Sequence, residues 1–493
     1  MQESFVSNAG LVFIGIYISA LLFIGYLGKR ASTENTLSDF YLAGRNMGFF
    51  VLLLTLYATQ YSGNTLIGFA GKAYREGFTT LVSVTFMISV IGAYMIYAPK
   101  LYRLSRKENF ITIGDYIHHR FKCRIFTTIA VIICIIALSN YIVTNLKAIG
   151  FVIEIVTDSR ISFSTGIIAL SVIMVIYETL GGLRSVAWTD VIQGLILLGG
   201  ILFLLIAVEY QYGGITNTSE YLLNSKPEFW RPPDIEDKIS WLSTLLIVFF
   251  SMSIYPQAIQ RIYAAKSENT LKNSLKVMAF MPLVTTFVVV MVGVIGISMF
   301  PDLTRLDSEK IVLIILEDLK EKIPVFGLVL ILFIAAALAA IMSTIDSALL
   351  AISALFTQDI YRPLRPTSSN THLTFMGKLL SWIIIGLMCY IAIILPQTIW
   401  KLMEIKFEIL CQVAPAIFLG LNFKSFSSRS MLYGIIGGTL FTLIIMFNNN
   451  LGFDFSNRPF GFHAGLIGLA LNLIIIFAHH TLFAKPHLLY IDK

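Results

Sequence analysis

Charged residues are scarce in this chain of 493 residues: Asp, Glu, Lys and Arg make up 13% of it, whereas 56% is hydrophobic. This scarcity excludes a soluble protein of such length, which would divide into several domains with charged surfaces. The charge is confined to short segments between apolar blocks of about 20 residues, the length that crosses a bilayer core. We therefore expect an all-α integral membrane protein in which one transmembrane domain fills residues 1–493.

Cysteine is equally scarce, and the four cysteines form no CxxC pair. Neither a disulfide framework nor a zinc site is therefore expected. The motifs HExxH and GxSxG and a phosphate-binding loop are also missing from the sequence, which argues against an enzyme. The formal net charge of +7 is typical of the cytoplasmic loops of a membrane protein and does not require nucleic-acid binding.

Thirteen apolar blocks predict thirteen transmembrane helices, the first at about residues 9–28. That block has no basic start and no small-residue cleavage site, so we expect a retained helix and not a signal peptide. If the N-terminus lies outside, the cytoplasmic loops and tail hold 22 of the 36 Lys and Arg residues, the bias that sets orientation. We expect a multi-pass cell-membrane protein, N-terminus outside and C-terminus cytoplasmic, in contact with lipid and with no obligatory protein partner.

Two of the predicted helices carry interruptions in mid-membrane. Helix 2 contains YATQYSGNTLIG (Tyr57–Gly68), and helix 7 contains SMSIYPQAIQ (Ser251–Gln260), in which Pro256 removes a backbone donor. Non-helical backbone at membrane depth is tolerated where it lines a cavity or is buried in protein, so each break is a candidate ligand site. Alternatively, Gly63 and Pro256 are ordinary transmembrane residues, and Gly63 permits close packing.

The two interruptions lie five helices apart, and an odd separation reverses the orientation of a helix. Helices 2–6 (48–209) and helices 7–11 (239–421) are therefore predicted to form two inverted repeats, with peripheral helices in 9–28 and 429–484. Interrupted helices at matching positions of two repeats are typical of secondary transporters. A gated channel for a small solute or ion, and a membrane solute sensor, are the competing interpretations.

The segment LAAIMSTIDSALL (338–350) places several hydroxyls within an apolar helix. Ala340, Ser343 and Thr344 share one helical face because they are spaced i, i+3 and i+4. A hard cation such as Na⁺ prefers oxygen ligands, and carbonyls freed around Ala58 and Tyr61 by the helix 2 break complete such a shell. In the competing interpretation, the hydroxyls bond to the carbonyl one turn earlier or join neighbouring helices.

Five features together resemble the sodium:solute symporter family over about residues 9–425. They are the helix 2 break and the segments SDFYLAGRNMG (Ser38–Gly48), GGLRSVAWTDVIQG (Gly181–Gly194), QRIYAAKS (Gln260–Ser267) and AAIMSTIDSALL (Ala339–Leu350). The resemblance implies a LeuT-type fold of five-plus-five inverted repeats with flanking helices. It also implies that inward flux of Na⁺, the coupling ion, drives uptake of a small organic solute. The main sodium site that it implies consists of the carbonyls of Ala58, Tyr61 and Ala340 and the hydroxyls of Ser343 and Thr344.

Some members of that family hold a second sodium ion between helices 6 and 9. The resemblance then implies a second cation site at Asp190, Ser343, Asp346 and Ser347. Asp346 stands where those members have Ser, so the site is either retained, altered or replaced by a carboxylate pair that shares a proton. A carboxylate within a membrane helix costs about 2.5–3.5 kcal/mol on insertion scales and usually faces a cavity or a partner.

The solute pocket departs from that of the sugar and proline members. Their helix 7 aromatics correspond here to Val248, Ser251 and Met252, so stacking on those rings is not expected. Pro256 and the segment AAIMST resemble the pantothenate branch instead, which implies a small carboxylate, an amino acid or a vitamin-like solute.

Lys147, deep in helix 4, is the candidate counter-ion for an anionic solute. Its alternatives are pairing with Glu154 or Glu178, or reaching outward to the interface. The full set of candidate solute-binding residues, each of which alternatively bonds between helices, is Gln60, Asn64, Thr65, Tyr141, Asn145, Lys147, Ser251 and Met252.

Overall fold

A computed structural model of the chain describes residues 8–32, 36–230, 233–322, 327–395, 399–447 and 458–483. Within these ranges every regular element is a helix, and strand-like pairing is limited to one isolated bridge between Met47 and Ala265. Nine helices there are long and apolar enough to cross a membrane, or ten if one bent pair is counted as a single span. The prediction of an all-α membrane protein is confirmed.

The membrane helices follow the order of the thirteen predicted blocks. A single helix of 50 residues, Phe163–Tyr212, covers two of the blocks and is divided at Gly182 into α5 (163–181) and α6 (183–212). Two others are interrupted and are described as halves. The remaining bounds are α1 Asn8–Arg30, α2a Phe49–Gln60, α2b Phe69–Glu76, α3 Val82–Glu108, α4 Arg124–Val156, α7a Ile235–Met252, α7b Pro256–Ala264, α8 Glu268–Met299, α9 Gly327–Leu355, α10 Asn370–Ile394, α11 Ile399–Leu410, α12 Ser428–Met446 and α13 Ala464–Phe483.

The kink between α5 and α6 depends on the backbone of Gly182. Its φ of 57° and ψ of −145° are strained for a residue with a side chain. A Cβ at this position would also lie 2.2 Å from the carbonyl oxygen of Phe40, which belongs to the segment before α2a. The glycine therefore lets the chain before α2a pack directly against the kink.

Helix α9 lies at the centre of the molecule and packs against α4, α5 and α6. In its most apolar window 89% of the residues are buried, compared with 22% in α13. Helices α12 and α13 pack mainly on each other. The segment that carries Ser343 and Thr344 is therefore shielded from lipid, whereas the last two helices are peripheral.

The segment before α2a, residues 38–48, contacts both α6 and α7b. Asp39 of this segment forms an ion pair of 2.7 Å with Arg184 of α6. Met47 accepts a backbone hydrogen bond of 2.9 Å from Lys266 and donates one of 3.0 Å to Ala264 at the end of α7b. Three of the segments that carry the family resemblance, Ser38–Gly48, Gly181–Gly194 and Gln260–Ser267, are therefore in contact although they are far apart in the chain.

Replacing Gly182 by Ala should lower the free energy of unfolding by at least about 1–3 kcal/mol, because a side chain is forced into this backbone conformation. The contact with the Phe40 carbonyl adds to the loss. Gly199 of α6 is the matched control, since a Cβ there meets nothing within 4 Å. Thermal unfolding of the purified variants in detergent measures both effects, and equal unfolding temperatures for the two variants would contradict the assignment.

Candidate ion and solute site

Thr65 reroutes the backbone hydrogen bonds at the break in helix 2. In a continuous helix, the amide of Ser62 would donate to the carbonyl of Ala58, and the amide of Thr65 to that of Tyr61. Here the Ser62 amide donates to Thr65 Oγ1 at 3.2 Å, and the Thr65 amide donates to the Ser62 carbonyl at 2.9 Å. The carbonyls of Ala58 and Tyr61 thereby lose their intrahelical donors, and these are the two carbonyls predicted to bind sodium.

Two contacts place this break directly against α9. The hydroxyls of Thr59 and Ser347 are 3.2 Å apart. A Cβ at Gly63 would lie 2.3 Å from Cγ1 of Ile341, so only a glycine allows this approach. Both sequence interpretations of helix 2 therefore apply, because the helix is interrupted just before Gly63 and the glycine itself provides the close packing.

The five predicted sodium ligands are all buried, each with at most 1% of its surface exposed. Thr344 Oγ1 donates to the Ala340 carbonyl at 2.8 Å, and Ser343 Oγ donates to Asp190 at 2.5 Å. A hydroxyl that donates its proton still has oxygen lone pairs available for a cation. The break and the facing helix therefore offer only oxygen ligands, the set that suits a hard cation.

Arg261 of α7b occupies the neighbourhood predicted for a second cation. Its guanidinium donates to Asp190 at 3.0 Å, to Ser347 at 2.6 Å and to Thr55 at 2.9 Å. Arg261 and Asp190 are both completely buried. The positive charge beside Asp190 is thus supplied by the protein itself.

Sequence reasoning missed this ion pair because it gave no role to residue 261, which follows the helix 7 segment Ser251–Gln260. The available signal was Pro256, which begins a new helix, so that Arg261 lies more than one turn inside it. An arginine within a membrane segment usually pairs with an acidic residue, and Asp190, predicted to bind a cation, was an available partner.

Asp346 has a different environment from Asp190. It accepts a hydrogen bond from the hydroxyl of Tyr177 on α5. Its Oδ1 atom has no hydrogen-bond partner among the described residues. The structure therefore places Asp190 and Ser347 against one guanidinium, with Ser343 bonded to Asp190, whereas Asp346 bonds to α5.

The breaks in α2 and α7 face each other across Tyr94 of α3. The two halves of α7 meet at an angle of 52°. The Tyr94 hydroxyl lies 3.3 Å from Gln60 Oε1, at the end of α2a, and 3.2 Å from the carbonyl of Met252, at the end of α7a. Two of the predicted solute-binding residues, Gln60 and Met252, are therefore brought together where both helices are interrupted.

Other predicted solute-binding residues use their polar groups locally. Asn145 donates to the carbonyl of Tyr141 at 2.9 Å, and Ser251 donates to that of Ile247 at 2.5 Å, both one turn earlier on the same helix. Lys147 donates to the carbonyl of Leu395 at the end of α10. The remaining candidate, Asn64, has a side chain outside the described part of the structure.

Lys406 of α11 is a second buried lysine that sequence reasoning missed. Its side chain is 2% exposed, and its ammonium lies 3.2 Å from the ring centroid of Tyr141 and 5.3 Å from that of Tyr255. The sequence interpretation places residue 406 within helices 7–11 (239–421) and gives it no role. An ionisable residue within a predicted membrane segment was the signal that pointed to a functional role.

The sequence model of the sodium:solute symporter family matches residues 40–438. The chain belongs to this family. A sodium/pantothenate symporter of Escherichia coli strain K12 is 27% identical over 458 residues, which cover 91% of each chain. The high-affinity proline transporter PutP of Bacillus subtilis strain 168 is 25% identical over 91% of this chain and 94% of its own.

Solved structures show the same fold. A Na⁺-coupled sialic acid symporter, in a substrate-bound outward-open state with a novel Na⁺ site, superposes with a TM-score of 0.80 at 22% identity over 97% of this chain and 98% of its own. Mhp1, a nucleobase-cation-symport-1 family transporter in a closed conformation, gives a TM-score of 0.57 at 13% identity, covering 90% of this chain and 94% of its own. The LeuT-type fold predicted for the symporter is confirmed.

Family membership confirms the functional class. The symporter is a multi-pass membrane protein and a secondary active transporter that couples Na⁺ to the uptake of a small solute. It is not an enzyme, and the findings favour a carrier over the channel and sensor interpretations.

Exchanging Arg261 for Met should destabilise the symporter by about 3–5 kcal/mol, because the Asp190 carboxylate is left buried without its counter-charge. Replacing Asp190 by Asn should have a similar cost. The double variant should lose less than the sum of the two single losses, because no uncompensated charge is left. A double-mutant cycle on thermal unfolding measures this coupling, and strictly additive losses would show that the pair does not interact.

Proposed function

We propose that the coupling Na⁺ binds between the break in α2 and the facing turn of α9. Its ligands are the carbonyls of Ala58, Tyr61 and Ala340 and the hydroxyls of Ser343 and Thr344. The observation that carries this proposal is the hydrogen-bond rerouting at Thr65, which removes the helical donors of two of these carbonyls. Carbonyls without donors at membrane depth need another positive partner, and a desolvated Na⁺ provides it.

For the second cation position at Asp190, Asp346 and Ser347, we propose the altered form of the site. Arg261 then supplies the positive charge that a second Na⁺ supplies elsewhere in the family. Its contacts with Asp190 and Ser347, two of the four residues predicted for that site, support this form. We accordingly expect the main site to bind the Na⁺ that couples to transport.

Transport by alternating access follows from the position of the ion between two inverted repeats, 48–209 and 239–421. The proposed ligands come from α2 of the first repeat and α9 of the second. An ion held by both repeats stabilises the arrangement in which its ligands are assembled, and coupling requires this difference in affinity between states. With the N-terminus outside, the ion enters from the external side and leaves to the cytoplasm.

The solute is proposed to bind where the breaks in α2 and α7 meet, beside the ion. Gln60 and Met252 lie there, and the ring of Tyr141 on α4 lies 5.6 Å from that of Tyr255 at the α7 break. The candidate class is a small carboxylate, an amino acid or a vitamin-like compound. The sodium/pantothenate symporter among the relatives supports this class, because pantothenate is a vitamin with a carboxylate.

Replacement of Ser343 or Thr344 by Ala should raise the Na⁺ concentration for half-maximal uptake at least about 10-fold, since a polar contact with a charged group contributes about 1.5–3 kcal/mol. Uptake of labelled candidate solutes into proteoliposomes, driven by an inward Na⁺ gradient and compared with choline medium, measures the effect. No other protein is added, so uptake also tests the expectation that no partner is required.

Ser353→Ala is the matched control on the same helix. Ser353 is buried and bonds to Tyr41 and to the carbonyl of Gly377, away from α2. Its removal should leave the Na⁺ requirement unchanged. A Na⁺ requirement that is equal in all three variants and in the unmodified protein would refute the proposed ligands.

A further inference from the structure

The ammonium of Lys406 is buried without a counter-charge. No carboxylate among the described residues lies within the 4.0 Å that defines an ion pair with this lysine. Its neighbours are instead the rings of Tyr141 and Tyr255 and, on its own helix, Phe407 at 4.8 Å. The site therefore surrounds a cation with aromatic faces and leaves its charge uncompensated.

Aromatic contacts alone do not explain a charged lysine at this depth. A cation–π contact contributes about 2 kcal/mol when desolvated. The effective cost of taking one ion out of water inside a protein is several kcal/mol. Buried charges of this kind in membrane helices usually pair with another charge or line the path of a substrate. The described protein residues provide no anion here, so a bound anion would supply the missing counter-charge.

Two buried hydrogen-bond donors at the helix breaks are also unused among the described residues. The rings of Tyr141 and Tyr255 are 5.6 Å apart, and Tyr255 is the residue just before α7b, at the helix break. The Tyr255 hydroxyl and the Gln60 side-chain nitrogen are buried without partners among the described residues. A hydroxyl, an amide NH₂ and an ammonium are donors, and a carboxylate with two oxygens accepts from several donors at once.

The same tyrosine connects this site to the proposed ion site. The Tyr141 side chain is a neighbour of Ser62 and Thr344. Thr344 is a proposed Na⁺ ligand, and Ser62 belongs to the break in α2. Tyr141 is therefore a neighbour of both Lys406 and the proposed Na⁺ site.

We propose that Lys406 is the counter-ion that selects a carboxylate-bearing solute, whose apolar part packs against Tyr141 and Tyr255. The proposal rests on the Na⁺-coupled transport function and specifies which solutes that function serves. It also moves the role of counter-ion, predicted from sequence for Lys147, to a lysine at the junction of the two helix breaks. Lys147 instead donates to a backbone carbonyl at the end of α10.

The first test compares carboxylates with neutral analogues in proteoliposomes of the unmodified protein under an inward Na⁺ gradient. The probes are pantothenate, L-lactate and pyruvate, paired with pantothenol, lactamide and pyruvamide. We expect at least one carboxylate to accumulate, and its neutral analogue to compete at least about 100-fold less well, as when one partner of a buried charge pair is lost. Equal transport within each pair, or no transport of any carboxylate, would overturn the proposal.

The second test uses the variants Lys406→Met, Lys406→Arg and Lys147→Met. Lys406→Met should lower kcat/KM for the transported carboxylate about 100-fold, and Lys406→Arg should restore part of it because the charge is kept. Loss of transport in Lys147→Met with normal transport in Lys406→Met would assign the counter-ion to Lys147 and contradict the proposal.

Failure of the solute site and failure of the ion site are distinguishable by Na⁺-induced thermal stabilisation without solute. Lys406→Met should keep this stabilisation, whereas Ser343→Ala should weaken it. If Lys406→Met loses the response to Na⁺ together with transport, the lysine supports the fold or the ion site, and its role as a selective counter-ion is refuted.

Discussion

Backbone polar groups at membrane depth must find partners within the protein, and this constraint governs the functional centre of the symporter. The side chain of Thr65 satisfies the amide of Ser62 and thereby leaves the carbonyls of Ala58 and Tyr61 without their helical donors. Such carbonyls are costly in an apolar environment unless another group compensates them. The same local rearrangement therefore both interrupts the helix and creates the need for a cation.

Buried charged side chains connect the helices around the proposed ion site. Asp190 on α6 and Arg261 on α7b neutralise each other, and their hydrogen bonds to Thr55 and Ser347 extend the contact to α2a and α9. Four helices from both proposed repeats thus meet at one ion pair. Lys406 lies outside this network, and its ammonium lies against the rings of Tyr141 and Tyr255. Arg261 is paired with Asp190 and supports the structure. In our proposal, Lys406 keeps its charge for a ligand.

Much of this arrangement could be predicted from the sequence because membrane helices are encoded by composition. Apolar blocks located the helices, and the residues of YATQYSGNTLIG and Pro256 located the two interruptions, since both effects are local. The hydroxyl face of α9 followed from helical spacing alone. These predictions required no knowledge of which helices are neighbours.

Interactions between distant segments could not be predicted in the same way. Arg261 and Asp190 are 71 residues apart, so their pairing depends on how α6 and α7b pack. Local bonding choices were equally hidden, as Asn145 was predicted to line the cavity but bonds to its own helix. Lys406 was not singled out because most of the residues around it in the sequence are apolar, which indicated only a membrane helix. In each case the missing information was the identity of the neighbouring side chain.

The most direct test of this account is ²²Na⁺ binding to purified protein, without solute, in which Thr65 is replaced by Val or by Ser. Valine cannot accept the Ser62 amide, so the carbonyls of Ala58 and Tyr61 regain their helical donors and Na⁺ affinity should fall at least about 10-fold, or ~1.4 kcal/mol. Serine keeps the accepting hydroxyl and should bind Na⁺ nearly as well as the unmodified protein. Undiminished Na⁺ affinity in Thr65→Val would contradict the account, because Na⁺ binding would then not depend on the rerouted hydrogen bonds of α2.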